Sequence, residues 1–109
     1  MNQLAKKIVE RRITQLYPHS SQETVASLVT AYFYPGHMVR DDDQIDIDER
    51  IHRTVSAYVR HQHTDYDRIG HAYIKEGYGE GYAWALAREE TKERYLQMMM
   101  ELRLDRRAA

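Results

Sequence analysis

Residues 58–67 hold two histidines, two carboxylates, two tyrosines and an arginine within ten positions. Such side chains could bind a metal ion, or act as a general base beside a carboxylate. On a continuous helix, however, His61 and His63 lie about 160° apart around the axis. His52 shares a flank with His63, but roughly 16 Å of helix separates them. An unbroken helix therefore excludes a metal site here, and we expect neither a metal nor another cofactor.

A helix break at Gln62 would change this conclusion, because the two histidines and two aspartates of the segment could then converge. In the alternative interpretation, Thr64 caps a new helix and forms a capping-box pattern with Asp67. The aspartates then favour the positive end of the new helix, and the histidines lie at the carboxyl end of the preceding one. We favour this second interpretation.

Two other segments have the composition of ligand-binding loops but the wrong spacing. In the acidic run 41–49, counting from Asp41 places Asp46 where an EF-hand needs glycine and His52 where it needs a glutamate. An EF-hand is therefore excluded, which leaves a weak surface calcium site or, as we favour, a solvated capping loop. The glycine-rich segment 77–81 follows no strand and has no lysine directly after it, so we interpret it as a turn between helices.

Apolar residues at a 3.6-residue spacing predict the elements that must position these groups. We find no strand-like run of useful length, no internal repeat and no low-complexity segment. The sequence therefore predicts an all-α fold, a compact bundle of about five helices in a single domain at residues 1–109. The predicted boundaries are Pro18, a capping-box pattern at 20–23, Pro35, a loop at 38–46, a junction at Thr64, a stop at Gly77, and a last helix from about Glu80 to about Arg103.

The third predicted helix carries the arginine and histidines of segment 58–67 and has one apolar face. Its periodicity predicts that Val55, Tyr58 and Val59 are buried. Arg53 and Arg60 fall on the opposite side, where we expect them to be exposed.

Composition limits the classes of function. Hydrophobic residues make up 42% and charged residues 30% of the 109 positions, which is typical of a globular domain. The formal charge of −1 does not provide the basic surface of a dedicated nucleic-acid-binding protein. The absence of cysteine excludes disulfides, and the charged amino-terminal segment does not fit a signal peptide. We expect a cytoplasmic protein with no membrane span.

Residues 53–67 resemble the bacterial family known as domain of unknown function 2293, in which an arginine-histidine pair is followed closely by a threonine and a tyrosine-aspartate pair. The stretch 76–88 is also similar, so the resemblance covers about half of the chain. It implies no activity, but it does imply that the segment from Arg60 to Asp67 is more than incidental sequence. The motif positions are Arg60, His61, Thr64, Tyr66 and Asp67.

Three functions compete. The favoured one is a small helical interaction or regulatory module that associates with itself and with an unknown protein partner. The second is a hydrolase-like enzyme that uses a histidine of segment 61–67 as a general base beside an aspartate, although we assign no catalytic residue. The third is a nucleic-acid accessory protein, based on basic residues of the first helix and the carboxyl-terminal tail. The candidate binding residues are Arg60, His61, His63, Thr64, Tyr66 and Asp67.

The last predicted helix indicates a homodimer. Its apolar residues span an arc of roughly 240°, which is wider than a small core on one side can cover. Three consecutive methionines supply a flexible apolar surface, and two-fold symmetry is the commonest arrangement that buries one. The alternative is a central helix surrounded by the other four. The predicted interface consists of Tyr95, Leu96, Met99, Met100 and Leu104.

Overall fold

The computed structural model describes residues 3–34 and 46–103, and all regular secondary structure in these ranges is helical. This confirms the all-α prediction. No helix in the described ranges is long and apolar enough to cross a membrane. Most of the predicted loop at 38–46, and Leu104 of the predicted interface, lie outside the described residues. The helices are α1 (Gln3–Leu16), α2 (Gln22–Tyr32), α3 (Ile47–His63), α4 (Tyr66–Lys75), α5 (Glu80–Glu90) and α6 (Lys92–Arg103).

The described residues form six helices because the predicted last helix is divided at Thr91. Thr91 has φ −102° and ψ 5°, outside the helical region, and its backbone N–H donates to the carbonyl of Ala87. Its buried hydroxyl donates to the same carbonyl at 2.8 Å. A side chain that bonds back to the preceding turn competes with the regular helix. The prediction of one continuous helix from Glu80 to Arg103 was therefore wrong.

Contacts between residues divide the chain into two compact units. The first unit consists of residues 1–56 and 101–109, and the second of residues 57–100. One boundary falls within α3, between Ser56 and Ala57. A single domain at residues 1–109 stays a prediction.

In the first unit, α1 packs against α2. The side-chain oxygen of Ser21 accepts the backbone N–H of Thr24 at 3.1 Å, so Ser21 caps α2. This cap lies one residue after the position that the capping-box pattern indicated. The buried apolar side chains of the unit include Val9, Ile13, Tyr17, Leu28, Val29, Ile51 and Val55.

In the second unit, α4 packs against α5 at Gly70. A Cβ atom at this position would overlap the six-membered ring of Trp84, so only glycine allows the ring to lie against α4. Gly77, with φ 103°, follows α4 in the left-handed region that favours glycine, and the predicted stop is confirmed. Buried side chains of the unit include Val59, Tyr66, Ala83, Ala87 and Met99.

The register predicted for α3 is largely correct. Val55 and Val59 have no exposed surface, and Arg53 is exposed. Tyr58 is half-buried instead of buried. Arg60 is also half-buried, where we expected exposure, because two tyrosine rings cover its guanidinium group.

Candidate functional site

Thr64 and Asp65 form the junction between α3 and α4. The hydroxyl of Thr64 donates to the carbonyl of Arg60 at 2.5 Å and accepts the backbone N–H of Tyr66 at 3.1 Å. One side chain therefore joins the end of α3 to the start of α4. The cap position itself is occupied by Asp65, whose side chain makes no capping hydrogen bond. The predicted cap at Thr64 is thus displaced by one residue.

The junction brings His61 and Asp67 together. Nδ1 of His61 lies 2.7 Å from Oδ1 of Asp67, and both side chains are about half exposed, at 48% and 49%. The sequence placed a possible break at Gln62, at which both histidines and both aspartates could converge, whereas α3 continues to His63 and only this pair meets. Because the chain changes direction at residues 64 and 65, the start of α4 lies beside the end of α3.

The other histidine and aspartate of the segment have different neighbours. The ring of His63 lies edge-on to Tyr58, with 5.5 Å between centroids. Asp65 accepts a hydrogen bond from Arg68 at 3.1 Å. In the ranges 3–34 and 46–103, no group of three or more potential ligands is arranged to hold a metal ion. Only one histidine–aspartate pair of the candidate segment therefore forms.

Aromatic rings surround the His61–Asp67 pair. Tyr66 lies 5.1 Å from Trp84 between centroids, and His61 lies 5.5 Å from Tyr66. The ring of His71 lies nearly perpendicular to that of Trp84, with 5.1 Å between centroids. The result is an open depression of about 390 Å³, which we call the aromatic depression. Its lining residues are His61, Tyr66, Asp67, His71 and Trp84.

Arg60 faces a different cavity. Its guanidinium carbon lies 4.5 Å from the ring centre of Tyr95 and 5.7 Å from that of Tyr66, both within the range of cation–π attraction. Its Nε atom is buried and makes no hydrogen bond within the described part of the chain. A cavity of about 300 Å³, which we call the cationic cavity, lies beside it. Its lining residues are Arg60, Arg88, Glu89, Lys92, Tyr95 and Leu96.

Sequence reasoning did not identify Arg88 or Lys92. The two residues are four positions apart, a spacing that is common on any solvated helix face. They stand on either side of the helix break at Thr91, which the sequence pattern did not reveal. The apolar periodicity placed Arg60 on an exposed face of α3, and it gave no reason to bring Arg60 close to Arg88 or Lys92.

The predicted binding residues are therefore distributed over three depressions of the second unit. Arg60 lines the cationic cavity, and His61, Tyr66 and Asp67 line the aromatic depression. His63 and Thr64 line a polar depression of about 580 Å³. The remaining residues of this third depression are Gln62, Asp65, Ile69, Glu90, Thr91 and Arg94.

The predicted dimer interface is only partly on the surface. Leu96 and Met100 are 53% and 67% exposed, and they lie one turn apart on α6. Tyr95 is half-buried, with Arg60 above its ring. Met99 is buried within the chain and contributes little surface to any contact. The apolar arc left exposed on α6 is therefore narrower than the sequence predicted.

The fold and the site define a class of all-helical protein in which a broken helix joins an arginine-histidine pair to a tyrosine-aspartate pair. The family model described as Uncharacterized conserved protein (DUF2293) matches residues 12–103, and the chain belongs to this family. The resemblance found in the sequence is thus confirmed, over a longer stretch than its motifs covered. No curated protein and no solved structure matches the chain.

Proposed function

We propose that the protein is a small helical interaction module that forms a homodimer through α6. The observation that carries this proposal is the exposed pair Leu96 and Met100, one helical turn apart. Exposure of adjacent large apolar side chains to water is unfavourable, and a second copy of the chain that covers them would make burial of this surface a source of stability. In a two-fold contact the same pair on each chain meets its counterpart.

The surroundings of this pair have the character of an interface. Leu96 adjoins Tyr95 and Arg60 in the lining of the cationic cavity. Tyrosine and arginine are enriched in the energetic centres of protein interfaces. Met100 has a flexible, polarizable side chain that fits an irregular partner surface. The same surface can therefore support association with another protein as well as with a second copy.

Light scattering at tens of micromolar protein tests the homodimer. We expect a mass of about 26 kDa, twice the 13.0 kDa of one chain. Met100→Glu introduces a charge at the contact and should give a mass of 13.0 kDa. Gln97→Glu introduces the same charge at another exposed residue of α6; it is the control and should remain dimeric. A wild-type mass of 13.0 kDa over the whole concentration range would refute the proposal.

The His61–Asp67 pair favours a second candidate, a hydrolase-like enzyme. A carboxylate on Nδ1 orients the imidazole and leaves Nε2 to act as a base. The described residues that line the aromatic depression, however, include no serine, threonine, cysteine or lysine, so water would have to be the nucleophile. Both members of the pair are half exposed, which provides little of the water exclusion that strengthens such catalysis. The interaction module is the better supported function.

Hydrolysis of p-nitrophenyl acetate separates the two candidates. For an interaction module we expect wild type and His61→Gln to hydrolyse the ester at the same rate. His71→Gln is the matched control, since this histidine lines the same depression without an aspartate partner among its described contacts. A rate lowered by His61→Gln alone would support the enzyme.

A further inference from the structure

We propose that the cationic cavity is a binding site for a phosphate monoester that carries an apolar group. Arg60, Arg88 and Lys92 would hold the phosphate oxygens, and Tyr95 and Leu96 would contact the apolar group. The volume of about 300 Å³ is at the lower end of the range for small-molecule sites.

The described residues that line the cavity carry unequal charges. Three of them are cations, and one, Glu89, is a carboxylate. In the described ranges, the ion pairs engage other residues, and none includes Arg60, Arg88 or Lys92. Arginine and lysine are the side chains that bind phosphate, and arginine does so with two parallel hydrogen bonds. An anion with several oxygens is therefore the complementary ligand.

Arg60 is held in place by ring contacts, and its buried Nε has no hydrogen-bond partner in the described part of the chain. The rings of Tyr95 and Tyr66 contact the guanidinium group through their faces. The N–H groups of a guanidinium lie in its own plane, so stacking leaves the outer donors available to an anion. The arginine is thereby positioned before a ligand arrives, which lowers the entropy that binding costs.

Two further features favour the same ligand. Lys92 is the first residue of α6, where the positive end of the helix dipole adds to the attraction of the cations for an anion. Tyr95 and Leu96, three and four residues after Lys92 on the same helix, add an aromatic and an aliphatic surface to the lining. A ligand that combines a phosphate with an apolar group contacts both kinds of surface, whereas inorganic phosphate contacts only the cations.

Isothermal titration calorimetry with phenyl phosphate tests the site. We expect saturable binding of one phenyl phosphate per chain. The variant with Arg88→Gln and Lys92→Gln should bind at least about tenfold more weakly, because each lost bond involves a charged partner. Arg94→Gln is the matched control, since it removes an exposed cation of α6 that lines a different depression. Equal weakening in the double variant and the control would overturn the proposal, as would the absence of saturable binding at millimolar phenyl phosphate.

Inorganic phosphate is the second arm of the experiment. It should bind more weakly than phenyl phosphate, because it makes no contact with Tyr95 and Leu96. Equal affinity for inorganic phosphate and phenyl phosphate would overturn the claim that Tyr95 and Leu96 contact an apolar group of the ligand. Met100→Glu should still bind phenyl phosphate saturably, at one molecule per chain, since Met100 is not in the lining of the cavity. Failure of the homodimer and failure of the phosphate site are thus measured separately.

Discussion

Two arginines, one in each unit, differ in what holds them. Arg12 of the first unit donates through Nε and Nη2 to the two carboxylate oxygens of Asp48, each at 2.7 Å. Arg60 of the second unit has no carboxylate partner in the described part of the chain and lies against tyrosine rings. Both side chains have defined positions, but only Arg12 has its donors occupied by the protein.

This difference separates a structural cation from one that is available to a ligand. The bidentate hydrogen bond with Arg12 lowers the pKa of the Asp48 carboxyl group, the sign of a carboxylate that prefers its charged form in the folded protein. A second example is Arg50, whose Nη2 donates to the carbonyl of Tyr32 at 3.0 Å. Arg12 and Arg50 of the first unit therefore join segments distant in sequence, whereas Arg60 of the second unit is positioned by tyrosine rings and has no carboxylate partner among the described residues.

Gly70→Ala should cause the largest loss of stability. The aromatic contacts of the second unit depend on the packing of Trp84 against α4, and a Cβ atom at residue 70 would disturb that packing. Overpacking by a Cβ atom should lower the free energy of unfolding by about 3 kcal/mol, measured by urea denaturation. Trp84 is the only tryptophan, so a red shift of the native fluorescence would report its displacement.

The control for this change is Gly81→Ala in α5. A Cβ atom there meets nothing within 4 Å, and alanine favours the helix. We expect unchanged or slightly raised stability. Equal losses in the two variants would show that the Trp84 ring does not depend on Gly70.

Thr64→Ala should have the next largest effect, since its hydroxyl holds the junction that places Arg60 and Tyr66. We expect a loss of about 1 kcal/mol in the free energy of unfolding. Thr30→Ala is the matched control, because the exposed Thr30 hydroxyl donates to the carbonyl of Ala26 within α2, one turn earlier, and so joins no two helices. An unchanged unfolding midpoint for Thr64→Ala would mean that the junction holds without this side chain.

Acid should destabilise the first unit through Asp48. Because the folded state lowers the pKa of this carboxyl group, its contribution is present above the unfolded-state pKa and is lost as the pH falls through the folded value. Asp48→Asn should therefore flatten the dependence of the melting temperature on pH in the acid range. Asp65→Asn, which removes a mostly exposed ion pair with Arg68, should leave that dependence unchanged. If the melting temperatures of the two variants depended on pH in the same way, the Arg12–Asp48 pair would not have the structural role assigned to it.

The smallest effect on stability is expected at alkaline pH, from the ionisation of Tyr73 in the second unit. Its hydroxyl donates to the carboxylate of Glu90, which raises the pKa of Tyr73 to about 12. The folded pKa exceeds the unfolded one, so this contribution is present below about pH 10 and is lost as the pH rises towards 12. Absorbance at the phenolate band should show a late-titrating tyrosine that disappears in Tyr73→Phe. Tyr82→Phe, at an exposed tyrosine, should leave the late step in place.

The sequence predicted the features that depend on periodicity and on glycine. The helical class, the buried positions Val55 and Val59, and the stop at Gly77 all follow from local patterns. The helix break at Thr91 did not, because neither glycine nor proline marks it and the apolar spacing continues through it.

The candidate site was predicted less well, because its geometry depends on tertiary packing. The sequence indicated the segment from Arg60 to Asp67 but not which of its side chains would meet. The pairing of His61 with Asp67 required the turn at residues 64 and 65, and the burial of Arg60 required Tyr95. No local pattern encodes either contact.

The central claim is that the outer donors of the Arg60 guanidinium group are available to an anion, while the donors of Arg12 are occupied by Asp48 and Gln15. Nuclear magnetic resonance of the arginine Nε–H groups during a titration with phenyl phosphate tests it most directly, with resonances assigned by Arg60→Lys and Arg12→Lys. We predict that the Arg60 resonance shifts and saturates while the Arg12 resonance stays constant. Equal shifts of both resonances, or an Arg60 resonance that does not move, would contradict the claim.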